Sequence, residues 1–116
     1  MIKIEAIVKP ERINQVTEAL VQAGCGGFHY HNVTGQGTQK GIEVYTGSRG
    51  SMARAAVVKT LLVPVIPEAM KDAVVGAILE AARSPDGGAS GDGKIIISTV
   101  DDVIRVRTGE TGEAAI

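Results

Sequence analysis

A short glycine-rich turn and two arginines are the residues of this chain best suited to chemistry. The turn is Gly91-Asp92-Gly93-Lys94, and Arg105 and Arg107 follow it after a short apolar strand. Glycine tolerates positive φ and lets main-chain N–H groups approach an anion, while lysine adds a point charge. Arginines at i and i+2 of an extended segment project from one face and offer planar forks that match phosphate oxygens. The pattern predicts a polyphosphate-binding site, although Gly-Asp-Gly by itself is also typical of a plain hairpin turn.

Length, charge and cysteine content narrow the class of protein. With 116 residues the chain predicts one domain, 1–116, with a single core. Twelve basic and thirteen acidic residues create no field that recruits nucleic acid or a membrane surface, so neither a nucleic-acid partner nor direct membrane insertion is expected. A lone cysteine, and no cationic leader or long apolar run, favour a cytoplasmic protein. That cysteine, Cys25, is either a small buried filler or a reactive thiol.

Two similar strand–helix–strand units are predicted to position these residues. Apolar residues recur with a period of two in the strands and near 3.6 in the helices. The predicted strands are 2–8, 28–34, 57–63 and 94–100, and the predicted helices are 13–23 and 70–81. Two such units predict an α+β, ferredoxin-like βαββαβ sandwich: an antiparallel sheet with both helices on one face.

Apolar residues on both faces of the predicted sheet suggest that its second face is also covered. Ile95-Ile96-Ile97 and Val57-Val58 place large side chains on each face, which a sheet covered on one side does not require. Other copies of the same chain are the simplest cover. The sequence therefore predicts a closed cyclic oligomer with inward-facing sheets.

The segment between the two units is long and rich in glycine, with little periodicity. It spans about 36–56, and its basic residues Lys40, Arg49 and Arg54 outnumber Glu43. Irregular loops of this length usually have a function, so we interpret it as an arm that docks on a partner. A tolerated solvated insertion is the alternative.

Together these motifs resemble the nitrogen-regulatory PII signal-transduction family. The matching stretches are 2–10, Gly35-Gln36-Gly37-Thr38-Gln39-Lys40-Gly41, the 91–95 turn and 103–110 with the Ala114-Ala115-Ile116 ending. They span nearly the whole chain. The resemblance makes about 36–56 the family's T-loop, about 84–93 its phosphate-binding B-loop and about 101–116 its C-terminal segment.

Function follows from the resemblance as an expectation. The family implies a homotrimer that binds adenine nucleotides (ATP, ADP or AMP) in clefts between subunits. Its T-loop changes shape with the ligand and docks on a membrane transporter or a metabolic enzyme. The nucleotide contacts implied here are Gly35, Gly37, Thr38, Gly91, Asp92, Gly93, Lys94, Arg105 and Arg107, with the two arginines on the neighbouring cleft wall.

Effector residues are implied in the same way. Gln39 matches the glutamine that helps hold magnesium and 2-oxoglutarate, and Lys40 and Lys59 complete the implied effector site. Where the family has an arginine and a loop-base lysine, this chain has Thr38 and Val57. Losing one cationic contact to a dicarboxylate costs about 1.5 kcal/mol, roughly tenfold in affinity, so we expect little synergy between ATP and 2-oxoglutarate.

With these departures the chain resembles a divergent member of the family, such as the carboxysome-associated type that binds bicarbonate. The family's modifiable loop tyrosine is absent from the 45–50 tract. Lys59 lies two residues past Val57 on the same predicted face and could replace the missing lysine. A small anion could then lie among His29, His31, Thr38 and Lys59. The two histidines could instead bind a metal, although no third ligand is evident, or simply line a cleft and confer mild pH sensitivity.

Two functional classes remain. In the first the protein is a non-catalytic sensor whose T-loop responds to the nucleotide in order to control a target in nitrogen or inorganic-carbon metabolism. In the second it is a slow ATPase in which Gln39, Glu43 or Asp92 orients a water molecule. No nucleophile paired with a base is evident in the sequence, and an aspartate between two glycines is typical of a turn-former. The sensor is therefore the expected class.

Overall fold

The computed structural model of the chain describes residues 1–36, 43–46, 51–54 and 56–116. The strands are β1 Ile2–Val8, β2 Phe28–Gly35, β3 Glu43–Thr46, β4 Ser51–Arg54, β5 Val57–Ile66 and β6 Gly93–Thr99. The helices are α1 Ile13–Gln22 and α2 Lys71–Ala82. A single 3₁₀ turn precedes each helix, and proline at the start of each turn supplies the φ that helical backbone needs.

Four strands form one antiparallel sheet in the order β2-β5-β1-β6. Ala6 of β1 lies opposite Leu62 of β5 and Ile95 of β6, which fixes the register across the sheet. Side chains of β1 alternate strictly between buried and half-buried positions, as a strand covered on one face requires. The predicted βαββαβ sandwich is confirmed.

Both helices cover the same face of this sheet. The core is one cluster in which α1 and α2 pack on the buried side of β1 and β5. Helix α1 contributes Val16 and Leu20, and helix α2 contributes Val74, Ile78 and Ala82. Removing this much apolar surface from water is the main stabilising term for a domain of this size.

Among the residues that the structure describes, no helix covers the opposite face of the sheet. Ile7 lies opposite Lys94 on this open face, and Glu5 lies opposite Ile96, which is exposed. A large exposed apolar side chain in the middle of the edge strand β6 agrees with the sequence pattern that predicted cover by another copy.

The segment predicted to be irregular contains a hairpin. Strands β3 and β4 pair antiparallel, with Glu43 opposite Arg54 and Thr46 opposite Ser51. The expectation of an arm without regular structure was therefore wrong for these eight positions, because strands of four residues are too short to show a clear period. In the part of the chain that the structure describes, no helix is long and apolar enough to cross a membrane.

Candidate functional site

The loop between α2 and β6 is held in shape by one carboxylate. Asp92 Oδ2 accepts hydrogen bonds from the main-chain N–H groups of Ser84, at 2.9 Å, and Ala89, at 2.8 Å. Asp92 Oδ1 accepts from the Ser84 hydroxyl and lies 3.2 Å from the ammonium of Lys9. Lys9 also donates to Ser84 Oγ, at 3.1 Å, so the end of β1 and both ends of the loop meet at this point.

These contacts keep Asp92 ionised. The hydroxyl and main-chain N–H of Ser84, followed by the N–H of Ala89, hold the pKa of Asp92 well below its usual range, and Lys9 acts in the same direction. Because its oxygens are already occupied by donors within the loop, the carboxylate shapes the loop. This agrees with the turn-former interpretation, while a direct contact of Asp92 with nucleotide stays a prediction.

Gly93 is required where the loop enters β6. Its φ is +123°, and a Cβ built on it would lie 1.8 Å from the carbonyl oxygen of Ile7. Two strands therefore approach more closely here than any other residue type allows. The consequence is that Lys94, the next residue, is fixed on the open face opposite Ile7.

A cavity of about 360 Å³ lies on the open face beside this loop. It brings together several residues that the sequence pattern or the resemblance pointed to. Its lining consists of Ile7, Val33, Thr34, Gly35, Gln36, Val57, Lys59, Gly91, Gly93 and Lys94. Asp92, Arg105 and Arg107 are described but do not line it, and the other predicted contacts, Gly37, Thr38, Gln39 and Lys40, lie outside the described residues.

Lys59 ties β5 to the glycine-rich loop. Its ammonium donates a hydrogen bond to the carbonyl oxygen of Gly91, and both residues line the cavity. Desolvation lowers the pKa of Lys59, and the nearby charge of Lys9 lowers it further. The expectation that Val57 and Lys59 share one sheet face is confirmed, since both line this cavity.

The two histidines lie on the open face but away from this cavity. His29 is opposite Val63 and His31 is opposite Leu61, so both project from one face of the edge strand β2. Among the described residues, neither histidine lines the cavity that holds Lys59. Within the described ranges no cluster of three or more metal-ligating side chains occurs, so no third ligand for the pair is found among those residues.

The two arginines lie on a turn. Residues 106–108 form a turn closed by a 2.8 Å hydrogen bond from the N–H of Gly109 to the carbonyl of Arg105. The expectation that Arg105 and Arg107 occupy an extended segment was therefore wrong, because Gly109, at φ +72°, lets the chain reverse. Arg105 is held in this turn by Glu110 Oε1, at 3.3 Å, and by the carbonyl of Ile116, at 3.2 Å.

Within one protomer the segment that carries this turn leaves the sheet at the end opposite the glycine-rich loop. Gly93 pairs with Val8 at one end of β6, and Thr99 pairs with Ile2 at the other. The C-terminal segment continues from that second end, where the N–H of Val100 donates to Met1 at 3.1 Å. Six strand steps separate the two ends, roughly 20 Å. Neither arginine lines the cavity beside Lys94, so one protomer does not bring the three cations together.

Sequence reasoning missed the residues that support the loop. Lys9 and Ser84 are 75 positions apart, and they meet beside the end where β1 pairs with β6. No local pattern marks either of them. Ser84 directly follows Arg83 at the end of α2, and its place eight residues before Asp92 becomes meaningful only once the loop has closed.

The chain is similar to known proteins along nearly its whole length. Residues 1–110 match the family model described as nitrogen regulatory protein P-II. The chain is 43% identical to the nitrogen regulatory protein P-II of Rhodobacter capsulatus and 44% identical to that of Cereibacter sphaeroides. Both alignments cover 100% of this chain and 100% of the relative.

A solved structure shares the fold. It is the crystal structure of Arabidopsis thaliana PII bound to citrate, which superposes with a TM-score of 0.77 at 38% sequence identity. The match covers 99% of this chain and 91% of the other. The similarity therefore extends over the sandwich and the C-terminal segment together.

Proposed function

The chain belongs to the nitrogen regulatory protein P-II family, and on that premise we propose that it is a homotrimeric sensor that binds an adenine nucleotide between neighbouring subunits. The observation that carries the proposal is the separation of its anion-binding parts. A preformed glycine loop with Lys94 lies at one end of the sheet, and Arg105 and Arg107 belong to the segment that leaves the sheet at the other end and line no part of the cavity beside Lys94. Such a divided site is complete only where the loop of one copy meets the arginines of the next.

The loop is suited to the phosphates of the nucleotide. Gly91 has φ +93° and Gly93 φ +123°, a backbone that can turn main-chain N–H groups toward an anion. Lys94 adds a charge at the same cavity, and Lys59 adds a second. Arg105 and Arg107 of the next subunit would supply the planar forks that bind phosphate oxygens in pairs. Magnesium would accompany ATP, with Gln39 as the implied ligand.

The cavity is also where the T-loop begins and ends. Gln36, at the end of β2, and Val57, at the start of β5, both line it, and the intervening segment carries the β3–β4 hairpin. A ligand in the cavity would contact both bases of the loop. Occupancy can then change the population of T-loop conformations, and a transporter or enzyme that binds one of them would be controlled in nitrogen or inorganic-carbon metabolism.

A small carboxylate or bicarbonate is proposed as a second ligand of this cavity. The related Arabidopsis structure is described as bound to citrate, which shows that one relative accepts a compact carboxylate. Here Val57 occupies the cavity wall where the family has a lysine, and Lys59 is the cation nearest to it in the sequence. We therefore expect the binding of bicarbonate or 2-oxoglutarate to be weak and to require Lys59.

Hydrolysis is disfavoured as the main function. A slow ATPase needs a group that orients water, and Asp92 was one candidate for that role. Its oxygens already accept hydrogen bonds from Ser84 and Ala89 and contact Lys9. The Asp92 carboxylate is therefore committed to shaping the loop, which favours a binding protein.

Calorimetry on a matched pair of lysine variants tests the nucleotide site. Lys94→Ala should weaken ADP, ATP or AMP binding by about tenfold or more, because a hydrogen bond to a charged group contributes about 1.5–3 kcal/mol. Lys71→Ala is the control, since Lys71 is exposed at the start of α2 and lines neither the site nor the loop. Equal affinities of Lys94→Ala and wild type would remove the glycine loop from the proposal.

A further inference from the structure

A second, larger cavity lies on the helix side of the same loop. It has a volume of about 710 Å³ and forms a groove between α2 and β6. Its apolar walls include Val75 and Leu79 of the helix and Ile95 and Ile97 of the strand. Leu79 is 45% exposed and Ile97 is 40% exposed, so the groove is open to solvent within one protomer. We call it the α2–β6 groove.

The end wall of the α2–β6 groove is the candidate phosphate loop. Gly93 and Lys94 line both this groove and the open-face cavity, which places the two cavities on opposite sides of one loop. A segment that reaches the loop from outside the protomer therefore also reaches the groove.

The residue between the two arginines is unusually exposed. Val106 is at the start of the 106–108 turn and is 99% exposed, and Ile104 beside it is 64% exposed. The turn is held by the contacts of Arg105 with Glu110 and with the C-terminal carbonyl. A fixed turn that presents an apolar tip between two cations has the composition of a contact surface.

We propose that Val106 of one subunit packs into the α2–β6 groove of its neighbour and thereby seats Arg105 and Arg107 against the neighbour's phosphate loop. This rests on the proposed function, in which the two arginines serve the site of another copy. Because they flank Val106, bringing them to Gly93 and Lys94 brings Val106 to the groove that shares those two residues. The contact joins different surfaces of two identical chains, so repeating it around an axis can close a ring.

Val106 would act as a positioning residue. It would not touch the nucleotide, yet its packing would decide whether the arginines reach the phosphates. The apolar walls of the groove match the apolar tip. Exposed Leu79 and Ile97 would lose their contact with water at the same step.

A cysteine cross-link tests the contact directly. The Val106→Cys, Leu79→Cys double variant should form disulfides between subunits under mild oxidation, seen as linked dimers and trimers on a non-reducing gel. A disulfide requires Cα atoms about 4.4–6.8 Å apart, so the bond reports on this particular contact. The matched control is Val106→Cys with Val21→Cys, because Val21 is 63% exposed but lies on α1 and outside the groove. Cys25 stays in both proteins, since it is buried.

A second variant tests whether the packing of Val106 is needed for ADP affinity as well as for contact between subunits. Val106→Asp should weaken ADP affinity by about tenfold or more, as the loss of an arginine contact would. Light scattering should show mass shifting toward the monomer at the same protein concentration. Val106→Ile, which keeps an apolar tip, should retain the wild-type affinity and mass.

The outcomes distinguish this inference from the function on which it rests. If wild type is a trimer that binds ADP, but Leu79→Cys links no better than the Val21→Cys control, the groove contact is wrong and the proposed function stands. If Val106→Asp binds ADP as tightly as wild type, the groove contact is likewise wrong and the proposed function stands. If wild type is monomeric and does not bind ADP, both proposals fail.

Discussion

Replacing Gly93 by alanine tests the close approach of β6 to β1 that positions the phosphate loop. The new Cβ would lie 1.8 Å from the carbonyl oxygen of Ile7, whereas real Cβ atoms essentially never approach another atom within 3.0 Å. The obstacle is backbone, so one strand must move by more than 1 Å or the pairing of Gly93 with Val8 must open. Alanine must also adopt φ near +123°, a conformation that non-glycine residues rarely accept.

Two terms give the magnitude of the effect. Backbone strain at an unfavourable φ costs about 1–3 kcal/mol, and forcing atoms into a packed site costs about 1–3 kcal/mol more. The sum, about 2–6 kcal/mol, is a large part of the roughly 5–15 kcal/mol by which a domain is stable. With about 3–6 °C per kcal/mol for a chain of this length, Gly93→Ala should lower Tm by roughly 10 °C or more.

Thermal unfolding followed by circular dichroism measures this at one fixed protein concentration, because the Tm of an oligomer depends on concentration. Gly76→Ala is the matched control. Gly76 lies inside α2, and a Cβ there meets nothing within 4 Å, so alanine should raise stability by about 0.5–1 kcal/mol through helix propensity. A Tm for Gly93→Ala within about 2 °C of wild type would refute the inferred strand contact.

Two further predictions concern titratable groups. Asp92→Asn should lower Tm at neutral pH; because the pKa of Asp92 is depressed in the folded state, its contribution is complete above about pH 4–5 and is lost as the pH falls below about 4. Melting curves over a pH series should therefore show a constant gap between wild type and Asp92→Asn that closes only in acid, and a gap of equal size in strong acid would contradict the assignment. Cys25 is 4% exposed and burial raises the pKa of its thiol, so iodoacetamide should label it slowly in the native protein and quickly after unfolding. Mass spectrometry measures the labelled fraction, and equally fast native labelling would show that the thiol is accessible.

The periodicity of the sequence was sufficient to predict the sandwich. Alternation in β1 and helical spacing in α2 directly reflect which side chains reach the core, as the burial of Ile4, Val74 and Ile78 shows. Gly24, at φ +91°, follows the end of α1 as a helix stop should. Burial of one face of a strand or helix decides which residues of that same element are apolar. The spacing of apolar residues within the element therefore shows which face is buried.

The hairpin within the T-loop was missed although a signal existed. The four residues 47–50 begin and end with glycine. They separate a short run that contains Val44 and Tyr45 from one that contains Met52. Connections of three to five residues containing glycine are typical of hairpins. Interpreting the glycines as evidence of irregularity concealed that pattern.

Contacts between distant segments could not be predicted. Asp92 shapes its loop through contacts with Ser84 and with Lys9, which lies near the other end of the chain. The spacing of these residues in the sequence does not indicate that they are in contact. The turn at Val106 was missed for a different reason, since Arg-x-Arg suggested an extended strand. Thr108-Gly109 was the local signal for a reversal.

Mixing two defective variants tests most directly whether the nucleotide site is shared between copies. Lys94→Ala and Arg107→Ala should each bind ADP weakly on their own. Co-refolded in equal amounts, they should form trimers in which about a quarter of the clefts combine an intact Lys94 from one subunit with an intact Arg107 from the next. Calorimetry should then recover about a quarter of the wild-type number of high-affinity ADP sites. If mixed trimers form and no high-affinity site returns, the loop and the arginines do not serve one site across the subunit boundary.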